Sequence, residues 1–236
     1  MISIPLVLSQ EHPCGYLETK IAQSLFVHPS YSITTSTYAH LLEQGFRRSG
    51  EEVYAPHCSH CSHCSACIPA RLPLKKFKPS KSQRRCMRKN IETQVNIKPA
   101  IFKQAHYDMY LRYQAIRHPE GSMINASPEN YFSFLSSSWC NTQFVEFSIN
   151  NELAGIAIID QFDEAWSAVY TFFEPKFSDY SLGVYAILWQ IQQANLQQKE
   201  YLYLGFWLKD CTKMSYKTCY QPIQLLIDKQ WVEMKT

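Results

Sequence analysis

The order of hydrophobic segments between residues 144 and 207 constrains the fold more than any other feature of this sequence. Three β-rich runs are followed by an apolar helix and a fourth strand: Phe144–Ile149, Leu153–Ile159, Trp166–Phe173, Leu182–Leu196 and Tyr201–Trp207. A turn at Asn150-Asn151 and a polar loop after it predict that the first three strands form an antiparallel meander. The helix is apolar on most faces, so we expect it to be largely buried.

Four further helices are predicted from their start and stop signals. One runs near Ser36–Gln44 and ends at Gly45, and one begins after the capping-box spacing of Ser80 and Gln83. Tyrosines and leucine at helical spacing predict a helix over 104–118, and Ser127-Pro128 reads as the start of another.

The strand–strand–strand–helix–strand order resembles the core of the GNAT acyltransferase fold. It predicts an α+β protein with a mixed, largely antiparallel sheet and helices packed against it. We expect two packed lobes: a cysteine-rich and basic N-terminal lobe over residues 1–100, and a GNAT-like transferase domain over residues 101–236.

Several functional classes lose support because their motifs are absent. The chain has only seven glycines and contains no dinucleotide-binding or P-loop glycine pattern. It also contains no nucleophile elbow, zinc-protease helix or Ser-His-Asp order. No apolar run is long enough to span a membrane, and Met1–Glu18 does not read as a secretory signal, so we expect a cytoplasmic protein.

Four cysteines at intervals of three residues form the strongest local signal, and three histidines alternate with them: Cys58, Cys61, Cys64 and Cys67, with His57, His60 and His63. Thiolates and imidazoles bind zinc and iron, and thiols stay reduced in the cytosol, so the cluster predicts a zinc site or an iron–sulfur cluster. Cys14 is the best remote partner. The spacing does not decide between the two metals.

Basic residues are concentrated in one block. Residues 1–100 hold 13 Lys and Arg against 6 Asp and Glu, and residues 101–236 hold 10 against 14. Most of the excess lies between Arg71 and Lys98, including Arg84, Arg85 and Arg88 on the helix predicted after Ser80. This block suits a polyanion such as RNA, although a solvated basic face has the same composition.

Two smaller sets of cations stand out. Arg47 and Arg48 lie between Gly45 and Gly50, a setting that suits two-pronged binding of a carboxylate or a phosphate. Lys213 and Lys217 share a helix face and would repel each other unless an anion lies there. Exposed loop arginines and exposed lysines are the alternative interpretation of both sets.

Together these segments resemble the arginyl-tRNA–protein transferase family, and in particular its bacterial branch. The matching blocks run in order along nearly the whole chain: Pro13–Leu17, Gly45–Gly50, Tyr54–Cys58, Cys67–Arg71, Ser82–Arg85, Arg112-Tyr113, Arg117-His118, Val169–Phe173, Ser181–Gly183, Tyr203–Trp207, Lys213-Met214 and Tyr216-Lys217. The resemblance implies an enzyme that moves an aminoacyl group from tRNA to the N-terminal amine of proteins beginning with Asp or Glu. Such transfer marks the acceptor for degradation by the N-degron route, and the bacterial branch implies leucine as the donor amino acid.

The sequence departs from the family in two places that concern the metal ligands. Leu17 stands where eukaryotic relatives have the second cysteine of a C-x-x-C, and the later cluster has four cysteines where the bacterial branch has three. The ligand set therefore stays open among Cys14, Cys58, Cys61, Cys64 and Cys67. The chemistry itself requires no cofactor, because aminoacyl-tRNA is already an activated ester.

We assign hypothetical roles to the remaining candidates. Arg84, Arg85 and Arg88 would bind tRNA phosphates, and one of Arg47, Arg48 and Arg71 would read the acceptor carboxylate. The groups expected to hold the donor terminus are Tyr170, Ser181, Lys213 and Lys217. Asp160 is a candidate base. We expect a monomer.

Three alternatives stay open. The donor could be arginyl-tRNA with the same acceptors. A CoA-dependent acetyltransferase is disfavoured because Ser181-Leu182-Gly183 offers one glycine where the pyrophosphate loop is glycine-rich. A metal-bound RNA-binding or redox-sensing module without catalysis would leave the C-terminal core unexplained.

Overall fold

The architecture is taken from a computed structural model, which describes residues 3–17, 20–58, 66–119, 121, 123–209 and 211–234, without the side chains of Thr212 and Lys213. Within these residues the helices are α1 Thr35–Glu43, α2 Lys81–Lys89, α3 Gln104–Arg117, α4 Pro128–Leu135, α5 Leu182–Leu196 and α6 Thr212–Ser215. Short 3₁₀ turns occupy Leu74–Lys76, Pro175–Tyr180 and Tyr216–Cys219.

The strands of the described residues are short before residue 100 and longer after it. They are β1 Leu6–Leu8, β2 His12–Pro13, β3 Ile21–Ala22, β4 Ser24–Val27, β5 Arg47–Ser49, β6 Glu52–Pro56, β7 Ile68–Pro73, β8 Gln94–Pro99, β9 Thr142–Ile149, β10 Glu152–Gln161, β11 Ala165–Phe173, β12 Tyr201–Trp207, β13 Gln224–Ile227 and β14 Gln230–Glu233.

An eight-stranded sheet forms the centre of the protein, in the order β14-β13-β7-β12-β11-β10-β9-β8. All of its neighbours pair antiparallel except β11 and β12, which pair parallel. Helix α5 makes the crossover between those two strands. A four-stranded sheet, β1-β4-β6-β5, and the pair β2-β3 lie outside it. The predicted α+β class with a largely antiparallel sheet is confirmed.

Strand β10 is buried on both sides, because helices cover both faces of the central sheet. Ala157 and Ile159 pack with α5, whereas Ile156 and Ile158 pack with α3 and α4. Alternate residues of a strand point to opposite faces, so a continuous apolar run such as Leu153–Ile159 is what such a strand requires.

The predicted elements of the C-terminal half are confirmed. α5 and β12 have the predicted limits, and β9, β10 and β11 start and end within two residues of theirs. Asn150 and Asn151 make the turn with φ of 51° and 64°, and the Ser80–Gln83 capping box is formed at the start of α2. The two-lobe division at residue 100 stays a prediction; the central sheet takes β7 and β8 from before that residue.

None of the described helices has the length and apolar character needed to cross a membrane.

Candidate active site

The two parallel strands of the central sheet are joined over only a short distance. Three residue pairs connect β11 to β12, the last being Ser167↔Tyr203. Beyond it, Ala168–Phe173 and Leu204–Trp207 are not paired with each other, and we call the space between these two segments the β11–β12 cleft. A register shift of β12 against β7 between Tyr203 and Gly205 accompanies the separation. Unpaired backbone groups in such a cleft are available to a substrate.

Arg47, the first residue of β5, fills the mouth of the β11–β12 cleft. Its Nη1 donates to Ser167 Oγ at 3.0 Å and its Nη2 to the Ala168 carbonyl at 2.8 Å. On the other side, its Cζ and Nη2 lie 3.2 Å from where a Cβ of Gly205 would stand. The guanidinium is therefore held between the two strands, and both of its acceptors are neutral.

Gly205 makes this approach possible, so Gly205→Ala is expected to disturb stability and activity together. Its φ of +80° is unfavourable for alanine by about 1–2 kcal/mol, and the added Cβ would push Arg47 aside. Urea unfolding and the transfer rate measure the two effects. Gly183→Ala is the control, since its Cβ would meet only the Phe173 ring at 3.6 Å. Equal effects of both substitutions would contradict a special role for Gly205.

Lys217 brings a second cation to the same cleft. It lies in the 3₁₀ turn after α6, is 4% exposed, and its Nζ donates to the carbonyl of Phe206 on β12. Met214 Sδ lies 3.2 Å from Nζ. Burial, followed by the charge of Arg47, lowers the pKa of Lys217 to about 7. A lysine with such a pKa changes its charge near neutral pH, which is typical of functional sites.

Tyrosine hydroxyls converge on the β11 side of the cleft. Gln114 on α3 donates from Nε2 to the Tyr170 hydroxyl at 2.9 Å. The pKa of Tyr170 is raised by burial and then by the nearby Tyr113, which also raises the pKa of Tyr216. Tyr170 thus lies beside Gln114 and Tyr113, and its role at the donor terminus stays a prediction.

Arg48 and Asp160 form a buried ion pair, which corrects two site predictions. Arg48 Nε and Nη2 each lie 2.7 Å from one carboxylate oxygen of Asp160, and Thr142 Oγ1 donates to the same carboxylate at 2.8 Å. Arg48 Nη2 also donates to the Leu135 carbonyl at 3.0 Å. Asp160 is fully buried and its carboxylate is occupied by these donors, so it has no geometry for a base. Arg48 holds β5 to the central sheet and is not available to an acceptor carboxylate.

Arg71 also has protein partners that satisfy it. Its guanidinium carbon lies 3.6 Å from the ring centroid of Tyr201 and 4.3 Å from that of Trp231. Its Nε donates to Gln224 Oε1 at 2.8 Å, and its Nη1 lies 3.3 Å from the Tyr203 hydroxyl. These contacts join β7, β12 and the β13–β14 hairpin, so Arg71 stabilises the sheet rather than facing the cleft.

Three of the predicted metal ligands line one cavity of about 310 Å³, which we call the N-terminal pocket. Cys14, Cys58 and Cys67 share this lining with Tyr16, Tyr54 and Phe206, among others. The described residues contain no group of three or more His, Cys, Asp or Glu arranged around a metal position. The other two predicted ligands, Cys61 and Cys64, lie outside the described residues.

The predicted tRNA-binding arginines lie on α2, and their side chains are exposed on its outer face: Arg84, Arg85 and Arg88. The helix is fixed by Gln83 Nε2, which donates to the Cys219 carbonyl at 3.0 Å, and by Asn90 Nδ2, which donates to Tyr180 at 2.8 Å. Tyr180 precedes Ser181, the left-handed residue with φ of 53° that begins α5. The basic helix therefore lies beside the start of α5, and it contacts Cys219, two residues after Lys217 in the chain.

Four residues in or near the cleft were not predicted as site residues. Gln114, Ser167, Gly205 and Tyr216 received no role, although a glycine inside the strand sequence Tyr201–Trp207 is a known sign of a bulge or close approach. The side chain of Lys213, predicted to hold the donor, lies outside the described residues.

Comparison with known proteins assigns this chain to a class of tRNA-dependent transferases. The family model for the arginine-tRNA-protein transferase N terminus matches residues 12–85, and the model for its C terminus matches residues 105–227. The chain belongs to this arginine-tRNA-protein transferase family.

The names of its curated relatives show which branch of the family it resembles. "Aspartate/glutamate leucyltransferase" of Saccharophagus degradans is 43% identical over 97% of this chain and 96% of the relative. The proteins of the same name from Hahella chejuensis and Pseudomonas fluorescens are 43% and 44% identical, covering 94% and 95% of this chain and 94% of each relative.

Solved structures are more distant. The structure of L-PGS from Bacillus licheniformis aligns with a TM-score of 0.45 at 12% identity, over 78% of this chain and 56% of that one. A TM-score of this size does not establish a shared fold.

Proposed function

We propose that this protein transfers leucine from leucyl-tRNA to the N-terminal amine of proteins that begin with Asp or Glu, and so marks them for degradation by the N-degron route. One observation carries the proposal: identity of 43–44% over nearly the whole length of relatives named aspartate/glutamate leucyltransferase. The β11–β12 cleft, with two cations and several hydroxyls, is the place in the fold that suits the reaction.

The reaction replaces an ester with an amide. The neutral acceptor amine attacks the leucyl carbonyl carbon, a C–N bond forms, the C–O bond to the terminal ribose breaks, and the amine proton passes to the ribose oxygen through water. An α-amino group has a pKa of about 7.7–8.0, so a neutral fraction exists at neutral pH without a strong base. The tasks left for the protein are alignment and stabilisation of the oxyanion.

A GNAT-like core is the fold we assign to the transferase half. The meander β9–β10–β11, the crossover helix α5 and the parallel strand β12 have the order of that core. The separation of β11 from β12 beyond Ser167 supports the same assignment, because it opens a cleft between two parallel neighbours. In this arrangement Tyr170 would approach the donor terminus from β11, and Ser181 lies at the start of α5.

The exposed face of α2 is the surface that we assign to tRNA. Arg84, Arg85 and Arg88 do not pair with any carboxylate among the described residues. Solvent-exposed cations in a row neutralise successive phosphates and release counterions. The position of α2 beside the start of α5 would bring the acceptor end of tRNA towards the cleft.

We also infer a structural or regulatory metal site in the N-terminal pocket. Cys14, Cys58 and Cys67 line it, and Cys61 and Cys64 belong to the same sequence cluster. Thiolates are the ligands of structural zinc and of iron–sulfur clusters, and an absorption spectrum after anaerobic purification distinguishes the two. Neither group takes part in the transfer step. We place the protein in the cytoplasm as a monomer, where tRNA and acceptor proteins meet.

A transfer assay tests the proposed function. The purified protein is mixed with radiolabelled Leu-tRNA or Arg-tRNA and a peptide that begins with Asp, Glu or Ala; acetyl-CoA serves as the control donor. We expect leucine on the Asp and Glu peptides and little on the Ala peptide, because only the first two offer a carboxylate. If neither Leu-tRNA nor Arg-tRNA supported transfer, the proposal would be overturned. A preference for Arg-tRNA would reassign the donor and keep the reaction class.

A further inference from the structure

The structure separates cations that have a carboxylate partner from cations that lack one. Arg48, Lys76, Lys103, Arg112 and Lys176 each form an ion pair with Asp or Glu. Arg47, Arg71 and Lys217 form none among the described residues; Arg71 and Lys217 are buried, and Arg47 is partly buried.

Of these three cations, Arg47 and Lys217 belong to the β11–β12 cleft, whereas Arg71 lies between Tyr201 and Trp231. Arg47 is bonded to Ser167 and Ala168 on β11, and Lys217 is bonded to Phe206 on β12, the residue after Gly205. The charge of Arg47 acts directly on the pKa of Lys217, so the two groups are electrostatic neighbours. The other groups that influence Lys217 are the thiols of Cys67 and Cys211. Arg47 is thus bonded to one wall of the cleft and Lys217 to the other, near enough to interact electrostatically.

A buried amine beside a guanidinium is unfavourable in its charged form unless an anion is present, because it loses hydration and faces a like charge. A guanidinium has five N–H groups, and Arg47 uses one each from Nη1 and Nη2, which leaves donors free for a further acceptor. A guanidinium next to an ammonium group suits a carboxylate, because the planar guanidinium can donate to both carboxylate oxygens and so fix their orientation.

We infer that Arg47 and Lys217 together bind the side-chain carboxylate of the acceptor's first residue. The inference rests on the proposed function, whose acceptors begin with Asp or Glu. A tRNA phosphate is the other anion of the reaction, but exposed cations on α2 suit phosphates, whereas Arg47 is wedged between strands beside Gly205. Of the three arginines that the sequence offered for carboxylate recognition, Arg48 is paired with Asp160 and Arg71 is covered by Tyr201 and Trp231. Arg47 is the one that lies in the cleft.

The test compares peptides that begin with Asp and with Asn, which have the same shape and differ in charge. Wild-type protein is expected to prefer Asp by at least about 100-fold in kcat/KM, since a site built for a charged partner rejects the neutral analogue. Arg47→Gln and Lys217→Met are each expected to reduce that preference by about 10- to 100-fold. Lys217→Arg should retain most of it. The ratio is measured within one variant, so a reduced folded fraction cancels.

Two controls make the result specific. Lys176→Met removes an exposed cation that pairs with Glu152, and it should leave the Asp/Asn ratio unchanged. Arg84→Gln on α2 should slow transfer to both peptides equally. Where a variant no longer transfers leucine, calorimetric titration with the same two peptides supplies the ratio of affinities.

The outcomes are distinct. Unchanged Asp/Asn ratios in Arg47→Gln and Lys217→Met would overturn the inference, and equal losses with both peptides together with weaker tRNA binding would assign the pair to a phosphate. If wild-type protein transferred leucine to neither peptide, the proposed function itself would fail.

Discussion

Asp160→Ala is expected to lower the free energy of unfolding by about 3–5 kcal/mol, because it leaves Arg48 buried without its counter-ion. The Arg48 side chain is 1% exposed and that of Asp160 is fully buried, so water cannot replace the lost carboxylate. Thr142 and the Leu135 carbonyl, which share the network, cannot compensate a full charge. Equilibrium unfolding in urea, followed by circular dichroism, measures the change.

A matched exposed pair and a double variant define the control. Lys76 and Glu233 are 63% and 44% exposed in their side chains, so Lys76→Met should cost less than about 1 kcal/mol. Replacing both buried partners, Arg48→Met with Asp160→Leu, should recover much of the loss, since no buried charge is left unpaired. A small effect of Asp160→Ala in the single variant would show that the ion pair is not what joins β5 to the central sheet.

The triple substitution Arg84→Gln, Arg85→Gln and Arg88→Gln is expected to weaken tRNA binding by about 100-fold at low salt. The slope of log affinity against log salt should also become shallower by about 2–3, because each lost phosphate contact reduces the slope by about one. Filter binding or fluorescence anisotropy across a salt series measures both quantities. The helix itself should persist, since its capping box uses Ser80 and Gln83 and not the arginines.

Three lysines elsewhere give the charge-matched control for α2. Removing Lys176, Lys199 and Lys229 changes the net charge by the same amount, and we expect a much smaller change in affinity and slope. Equal effects of the two triple variants would mean that tRNA responds to the net charge of the protein and not to α2.

The sequence predicted the C-terminal core well because its signals are local. A continuous apolar run such as Leu153–Ile159 can be a strand buried on both faces, and Asn150-Asn151 tolerates the positive φ of a tight turn. Helix α2 was predicted by its cap despite a basic outer face. These features depend on neighbours a few residues away.

The partners of β7 could not be predicted in the same way. Its sequence, Ile68–Pro73, contains two prolines and an arginine, yet it lies between β12 and β13 in the central sheet. Proline normally weakens a strand interior. Arg71 there is covered by Tyr201 and Trp231, which come from distant parts of the chain. Such pairing depends on tertiary packing, which has no local signature.

The candidate site shows the same limit. Arg47 and Arg48 are adjacent and chemically identical, and the sequence treated them alike. Because side chains alternate along β5, Arg48 points towards Asp160 and Arg47 points into the β11–β12 cleft. Asp160 was a candidate base, and only the fold shows that its carboxylate is already bound. Residue types were predictable, but the choice of partner was not.

The most direct test of the central claim is a crystal structure with the two substrates in place. The ligands are a non-hydrolysable 3′-leucylamido-adenosine and a peptide that begins with Asp. We predict the leucyl carbonyl in the β11–β12 cleft and the Asp carboxylate within about 3 Å of Arg47. Both ligands bound elsewhere, with the cleft closed by protein side chains, would contradict the account.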